Sequence, residues 1–222
     1  MYESYESSLL GILDQYSAPK PYVLETVKAL RDKGIKIGST TGYTDVMMQV
    51  VVPKAKELGY EPDCWFSPDS TGHKGRPFPY MIFRNMEALG LSDVRRVMKV
   101  GDTVSDIKEG KNAGVYTVGI LEGSSAMGLS REEFKALSPK EKEERSRKVR
   151  QMYLEAGADA VGHGYTWRAG IYLKAALCRP AQDSPPEADM RGRKIFLPEN
   201  VQGVLIPGFS AYDVKKSSGD SF

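Results

Sequence analysis

The segment Val97-Met98-Lys99-Val100-Gly101-Asp102-Thr103-Val104-Ser105-Asp106 decides how the fold is interpreted. An apolar strand runs into a glycine and presents two carboxylates, Asp102 and Asp106, and a helical pattern follows over 107–113. In open α/β sheets, ligands bind where strands end and helices begin, and carboxylates there suit a hard cation such as Mg²⁺. Asp102 would be the direct ligand, with Asp106 supporting it or bracing the loop. The alternative is an N-capping aspartate followed by a solvated first-turn aspartate, and this segment alone does not separate the two.

The composition narrows the class of protein. The chain of 222 residues has a net charge of +2 and 41% hydrophobic residues, values that are normal for a soluble globular protein. Neither a basic stripe nor an apolar run of roughly 20 residues occurs, which argues against nucleic-acid binding and a membrane span. Cys64 and Cys178 form no metal or redox spacing. We therefore expect a cytoplasmic protein with neither nucleic acid nor membrane as a partner.

Strand and helix patterns alternate from about residue 20. Short apolar strands are predicted at 35–38, 64–66, 97–100, 115–120 and near 158–161, between helical patterns at 22–33, 44–58, 77–90, 107–113 and 138–156. Thr44 or Asp45 would cap the second helix, and Ser130 and Ser138 each begin a sequence of capping-box form. This alternation predicts a doubly wound parallel sheet, an α/β core over about 19–162.

Three loops that follow strands should meet at the carboxyl edge of this sheet. The loop 39–42 offers hydroxyls and a glycine, which suit phosphate oxygens, although an ordinary Ser/Thr helix cap is about equally plausible. The loop around Lys74 and Arg76 offers a cation for a transferred phosphoryl group. Pro77 restricts the backbone before it and favours Arg76, although most loop cations are simply solvated. Together with the aspartate loop, this order predicts Mg²⁺-assisted phosphoryl chemistry.

This order of motifs resembles the haloacid dehalogenase superfamily, which places a threonine, a Lys or Arg, and paired aspartates in the same succession. Residues 34–44, 75–79 and 99–106 together strongly resemble the phosphonoacetaldehyde hydrolase (phosphonatase) family, and 109–114 and 117–125 extend the likeness. The resemblance covers about residues 1–161. It implies a Rossmann-like core and hydrolysis of the carbon–phosphorus bond of a small phosphonate, giving acetaldehyde and phosphate. In that family a cap lysine forms a Schiff base with the aldehyde, and a core aspartate attacks phosphorus to give an aspartyl-phosphate.

The resemblance also assigns site residues. Thr41 and Arg76 would bind the phosphoryl oxygens and stabilise their charge, with Asp106 as a third catalytic residue. The full set carried over by motif comprises Thr41, Gly42, Tyr43 and Arg76 for the substrate, and Asp102, Thr103 and Asp106 for Mg²⁺ and its loop. The family tends to dimerise through its cap, most of which has no match in this chain, so the resemblance gives little support for a homodimer here.

Two parts of the family pattern have no match in residues 1–222. One is the strand ending in Asp-x-Ala-Gly-Thr, which supplies the nucleophile, and the other is the cap lysine. Residues 1–18 match only the last cap helix and its return to the core, and Lys20, Lys28, Lys33 and Lys36 match core positions. Because the missing strand is central to the sheet, its absence would leave buried backbone groups unpaired. We therefore expect the two halves to close up, another chain to supply the strand, or the product to fold poorly.

Residues 163–222 depart from the family pattern and are predicted to be an irregular, partly disordered extension. An incomplete gene model would explain both ends, and the chain as given would then be inactive, with half a Mg²⁺ site of weak affinity. The alternatives are a non-catalytic protein that keeps a phosphate and Mg²⁺ pocket, or another phosphatase of the superfamily.

Overall fold

The computed structural model describes residues 10, 13, 17–20, 22–162 and 201–207, which form a parallel sheet of six strands with helices around it. This confirms the predicted α/β fold. The strands are β1 (Lys36–Thr40), β2 (Cys64–Phe66), β3 (Val97–Gly101), β4 (Tyr116–Ile120), β5 (Ala160–Gly162) and β6 (Gly203–Pro207). Their order across the sheet is β2-β1-β6-β3-β4-β5, and every neighbouring pair is parallel.

Six α-helices connect or cover these strands in the described part of the chain. They are α1 (Val23–Arg31), α2 (Asp45–Glu57), α3 (Tyr80–Ala88), α4 (Val104–Ala113), α5 (Arg131–Ala136) and α6 (Pro139–Glu155). The predicted cap of α2 is confirmed, because the Thr44 side chain accepts a hydrogen bond from Met47 N. The capping boxes at Ser130 and Ser138 are confirmed as well. Pro68–Thr71, which precedes the loop around Lys74 and Arg76, forms a 3₁₀ turn.

The strand β6 fills the centre of the sheet, which corrects the three outcomes expected there. β1 and β3 do not pair with each other, because β6 lies between them and pairs with both. Leu205 of β6 is opposite Gly38 of β1 on one side and opposite Lys99 of β3 on the other. The backbone groups that we expected to be left unpaired therefore have partners within the chain. The same strand departs from the irregular structure predicted for 163–222.

The sequence of β6 explains why it is stable in this place. Val204, Leu205 and Ile206 form a continuous apolar run, typical of a strand that is covered on both faces, and all three are at most 2% exposed. Val204 and Ile206 pack in the core cluster that contains residues of α1, whereas Leu205 packs in the cluster that contains residues of α3. Helices thus cover both faces of the sheet, as the doubly wound architecture predicts.

Several expectations lie outside the described residues, namely those for most of the cap remnant 1–18 and for the parts 163–200 and 208–222 of the extension. Among the described helices, none is both long and apolar enough to cross a membrane.

Candidate active site

The carboxyl edge of the sheet brings together the loops after β1 and β3 and the loop that carries Arg76. Arg76 Nη1 donates a hydrogen bond of 2.5 Å to Asp106 Oδ1. A Cβ built on Gly42 would lie 3.1 Å from Arg76 Nη2, so the guanidinium rests against the backbone of the hydroxyl loop. Thr41 is 1% exposed, and its Oγ1 accepts a hydrogen bond from Tyr43 N at 3.0 Å. The structure therefore gathers Thr41, Gly42, Arg76 and Asp106, which the sequence places far apart.

The aspartate loop is held by the start of α4. Thr103, not Asp102, caps this helix: its Oγ1 accepts from Asp106 N at 3.0 Å and donates to Asp106 Oδ2 at 2.6 Å. Asp106 is fully buried. The alternative of a capping Asp102 followed by a solvated Asp106 is therefore wrong. A Cβ at Gly101 would lie 2.3 Å from Asp106 Cβ, so only glycine lets the strand end approach this carboxylate so closely.

Asp102 lies on the other side of the same loop. Its side chain is 3% exposed, and its backbone oxygen accepts hydrogen bonds from Tyr153 Oη at 2.7 Å and Ser125 Oγ at 3.4 Å. Its carboxylate Oδ2 accepts a short hydrogen bond from Lys20 Nζ, which also donates to the Gly123 carbonyl oxygen at 2.5 Å. Asp102 and Asp106 thus form ion pairs with different cations, Asp102 with Lys20 and Asp106 with Arg76.

A buried ion network that was not predicted from the sequence lies beneath Asp106. Lys99 Nζ lies 3.0 Å from Asp106 Oδ1 and 3.1 Å from Glu109 Oε2, and it donates to Thr40 Oγ1 at 2.6 Å. Thr40 Oγ1 in turn donates to Glu109 Oε2 at 3.0 Å. Lys99, Thr40 and Glu109 are fully buried, and Glu109 Oε1 has no hydrogen-bond partner among the described residues. A lysine within an otherwise apolar strand was the available signal, because buried lysines are nearly always paired.

The two cations set the ionisation of Asp106. Burial by itself would raise the pKa of its carboxyl, but the charges of Arg76 and Lys99 and the hydrogen bond from Thr103 outweigh burial and hold the pKa well below its usual range. Burial lowers the pKa of Arg76, and the carboxylates of Asp106, Glu109 and Asp102 more than reverse this, so its pKa lies above the ordinary value. Asp106 is therefore an anion that anchors Arg76, and Arg76 remains a cation facing the hydroxyl loop.

Two residues considered from the sequence lie away from this cluster. Lys74, the competitor of Arg76, is exposed, and its Nζ lies 5.6 Å from the centroid of the Tyr80 ring. Tyr43 is 6% exposed and belongs to an apolar cluster with Met47 and Met48. The structure thus brings Arg76 rather than Lys74 to the aspartates, and it packs Tyr43 into the core.

The oxygens around Asp102 suit a hard cation. Asp102 Oδ2 and the Gly123 carbonyl oxygen converge on one positively charged atom, Lys20 Nζ, which stands in for such an ion. Within the described ranges, no group of three or more His, Cys, Asp or Glu side chains could hold a metal. Mg²⁺ usually keeps several waters and takes one or two carboxylates together with substrate oxygens. This donor set therefore fits a water-rich Mg²⁺ site that rests on Asp102.

Comparisons with known proteins show the family of the chain. A family model for haloacid dehalogenase-like hydrolases matches residues 3–114. A phosphonoacetaldehyde hydrolase from Lysinibacillus sphaericus is 51% identical over 158 residues, which are 71% of this chain and 59% of that protein. The crystal structure of a phosphonoacetaldehyde hydrolase-like protein from Oleispira antarctica superposes with a TM-score of 0.70 at 34% identity, over 73% of this chain and 59% of that one. The chain thus spans about three fifths of the length of these relatives.

A third relative matches a longer part of the chain. The bifunctional phosphonoacetaldehyde hydrolase/aminoethylphosphonate transaminase of Clostridioides difficile is 39% identical over 208 residues, which are 94% of this chain and 31% of that protein. A match of this extent continues into residues 163–222, for which the sequence alone gave no family pattern.

Proposed function

The chain belongs to the haloacid dehalogenase-like hydrolases, and from that premise we propose that its site serves the hydrolysis of the carbon–phosphorus bond of phosphonoacetaldehyde to acetaldehyde and phosphate. The observation that carries the proposal is the contact of Arg76 with both Asp106 and the Gly42 backbone. It joins a cation, a hydroxyl loop and an aspartate loop at one edge of a parallel sheet. Relatives named for this activity at 46–51% identity favour it over a non-catalytic pocket or another phosphatase.

The described residues would supply the phosphoryl-binding half of the chemistry. Thr41 and the backbone beside Gly42 would bind phosphoryl oxygens, and Arg76 would stabilise the charge that develops on them during transfer. Asp106 would orient Arg76 through the 2.5 Å hydrogen bond, with Lys99 and Glu109 fixing Asp106 from below. The small-molecule partner would be phosphonoacetaldehyde, encountered in the cytoplasm.

Hydrolases of this family are generally metal-dependent, and we propose Mg²⁺ as the metal here. Asp102 would hold it, with Thr103 and Asp106 keeping the loop in place. When bound, Mg²⁺ supplies positive charge that neutralises the phosphoryl oxygens.

The resemblance assigns the two covalent steps to a strand-end aspartate and a cap lysine, neither of which has a match in residues 1–222. The carboxylate would attack phosphorus while the C–P electron pair forms the C=C bond of an enamine and the iminium π pair moves onto nitrogen. Protonation of the former methylene carbon would then restore the imine. Water would cleave both the acyl phosphate and the imine. The end of the central strand here is Ile206-Pro207, opposite Ser39 and Thr40, and it offers no carboxylate.

The test is a fusion that places the N-terminal segment of the Lysinibacillus sphaericus hydrolase before residues 1–162. Residues 163–222 are left out so that the added strand can take the central position that β6 holds here. Acetaldehyde is followed by its reduction with alcohol dehydrogenase and NADH. We expect turnover of phosphonoacetaldehyde, reduced about 100-fold or more by Arg76→Ala and unchanged by Arg84→Ala, a control at an exposed arginine paired with Glu87. A fusion that folds but releases no acetaldehyde, or one indifferent to Arg76→Ala, would contradict the proposal.

A further inference from the structure

Lys20 places a positive charge on the carboxylate that the proposed function assigns to the metal. It precedes α1, in the described segment 17–20, far in sequence from the aspartate loop. Its Nζ donates to Asp102 Oδ2 and, at 2.5 Å, to the carbonyl oxygen of Gly123. These are two hard oxygen atoms from two different strand-following loops. Their convergence on one cationic nitrogen is the arrangement of a small cation site with an ammonium group in it.

A divalent cation on Asp102 and the Lys20 ammonium would compete for the same oxygens. Two positive charges a few ångströms apart repel each other strongly at a partly buried site, where the effective dielectric constant is far below that of water. The Asp102 side chain is 3% exposed, so little solvent screens the repulsion. One cation therefore has to leave before the other can bind.

Lys20 is able to leave, and the other lysine near the site is not. The Lys20 side chain is 22% exposed, and its flexible stem can swing the ammonium into solvent. Lys99 is fully buried between Asp106 and Glu109, and its withdrawal would strand two buried carboxylates. Of these two lysines, only Lys20 can therefore compete with a divalent ion for Asp102 and then withdraw.

We propose that Lys20 is a tethered cation that occupies the metal end of the site and lowers the affinity of Asp102 for a divalent ion. In the metal-free protein it neutralises Asp102 and holds the loops that carry Asp102 and Gly123 together. The metal binds only the conformation in which Lys20 has withdrawn, so the apparent affinity is reduced by the fraction of that conformation. This inference rests on the proposed role of Asp102 as metal ligand.

The experiment measures Mn²⁺ binding to the full chain by the electron paramagnetic resonance signal of free Mn²⁺, without substrate. If Lys20 is withdrawn in about a tenth of molecules, Lys20→Met should bind Mn²⁺ about tenfold more tightly than the parent chain. Lys28→Met is the matched control, because Lys28 is exposed and pairs with Asp32 on the surface; it should leave the affinity unchanged. Asp102→Asn should abolish the gain when combined with Lys20→Met.

Further variants keep the outcome decisive. Lys20→Arg retains the charge and should keep the weak affinity, and Lys20→Gln replaces Lys20→Met if that variant does not fold. Equal or weaker Mn²⁺ binding by the folded neutral variants, or no binding by any of them, would overturn the inference. The result is independent of turnover, since a fusion without activity would refute the proposed hydrolysis and leave the Mn²⁺ comparison intact.

Discussion

Arg76 Nη1 and Asp106 Oδ1 are joined by a hydrogen bond of 2.5 Å in which the aspartate is completely buried and the arginine side chain is 14% exposed. The partly exposed cation can meet a ligand, whereas the buried anion can only hold the cation in position. A charge-assisted contact of this kind fixes direction as well as distance. In the proposed function, the pair would therefore divide phosphoryl binding between Arg76, which would touch the ligand, and Asp106, which would orient Arg76.

The buried charge of Asp106 predicts a pH effect on stability. Because its folded-state pKa lies below the ordinary 3.8, the carboxylate contributes stability above that value and loses it as the pH falls toward the folded pKa. We expect the free energy of unfolding of the parent chain to fall more steeply between about pH 5 and pH 3 than that of Asp106→Asn. Urea denaturation across this range measures it, with exposed Asp32→Asn as the control. Equal slopes for the parent chain and Asp106→Asn would contradict the assignment.

The ion network around Lys99 predicts a non-additive result. Lys99→Met leaves the carboxylates of Asp106 and Glu109 without this buried partner and should lower the free energy of unfolding by about 3 kcal/mol or more. Combining it with Glu109→Gln should recover part of that loss, because the residues form one network. The exposed pair of Lys148 with Glu144 is the control, and Lys148→Met should cost less than about 1 kcal/mol. Strictly additive losses would show that the network does not act as a unit.

The central position of β6 predicts that its side chains contribute strongly to stability. Leu205 is fully buried between β1 and β3, and Leu205→Ala should cost about 2–5 kcal/mol of unfolding free energy. Leu154→Ala, which makes the same truncation at a side chain that is 38% exposed, should cost less than about 1 kcal/mol. Chemical denaturation compares the two variants. Similar losses would mean that the strand is not an integral part of the sheet.

The polypeptide of residues 1–222 is predicted to release no acetaldehyde from phosphonoacetaldehyde. Residues 1–222 hold no Asp-x-Ala-Gly-Thr segment, and the central strand ends at Pro207 without a carboxylate. The coupled NADH assay should therefore give the same rate for this polypeptide and for Asp102→Ala. Release above that control would place a nucleophile within these residues. Borohydride trapping that labels a lysine of this chain would likewise contradict the alignment.

Local signals in the sequence predicted most of the core and part of the site. The capping residues Thr44, Ser130 and Ser138 act within one helical turn, so their spacing is sufficient to identify them. The loops of Arg76 and Asp106 could be predicted to meet, because the carboxyl ends of parallel strands lie at one edge of the sheet. Those features follow from short-range patterns and from the topology of the fold.

The features that were missed depend on contacts between distant segments. β6 is a short apolar run that the helix–strand alternation did not reach, and nothing local indicates that it pairs with β1 and β3. Lys20 follows a proline in a loop and meets Asp102 only in the folded chain. For Lys99, unlike β6 and Lys20, the sequence did contain a local signal. A charged residue in a strand predicted to be buried needs an oppositely charged or hydrogen-bonding partner.

The binding of inorganic phosphate to the full chain, measured by isothermal titration calorimetry, tests the central claim that Arg76 and the Thr41–Gly42 loop form a phosphoryl site. The matched variants are Arg76→Ala and Arg84→Ala, the latter at an exposed arginine that pairs with Glu87. We expect Arg76→Ala to weaken phosphate binding by about tenfold or more, the loss of one charge-assisted contact, and Arg84→Ala to leave it unchanged. Equal phosphate affinity in the parent chain and both variants would contradict the account.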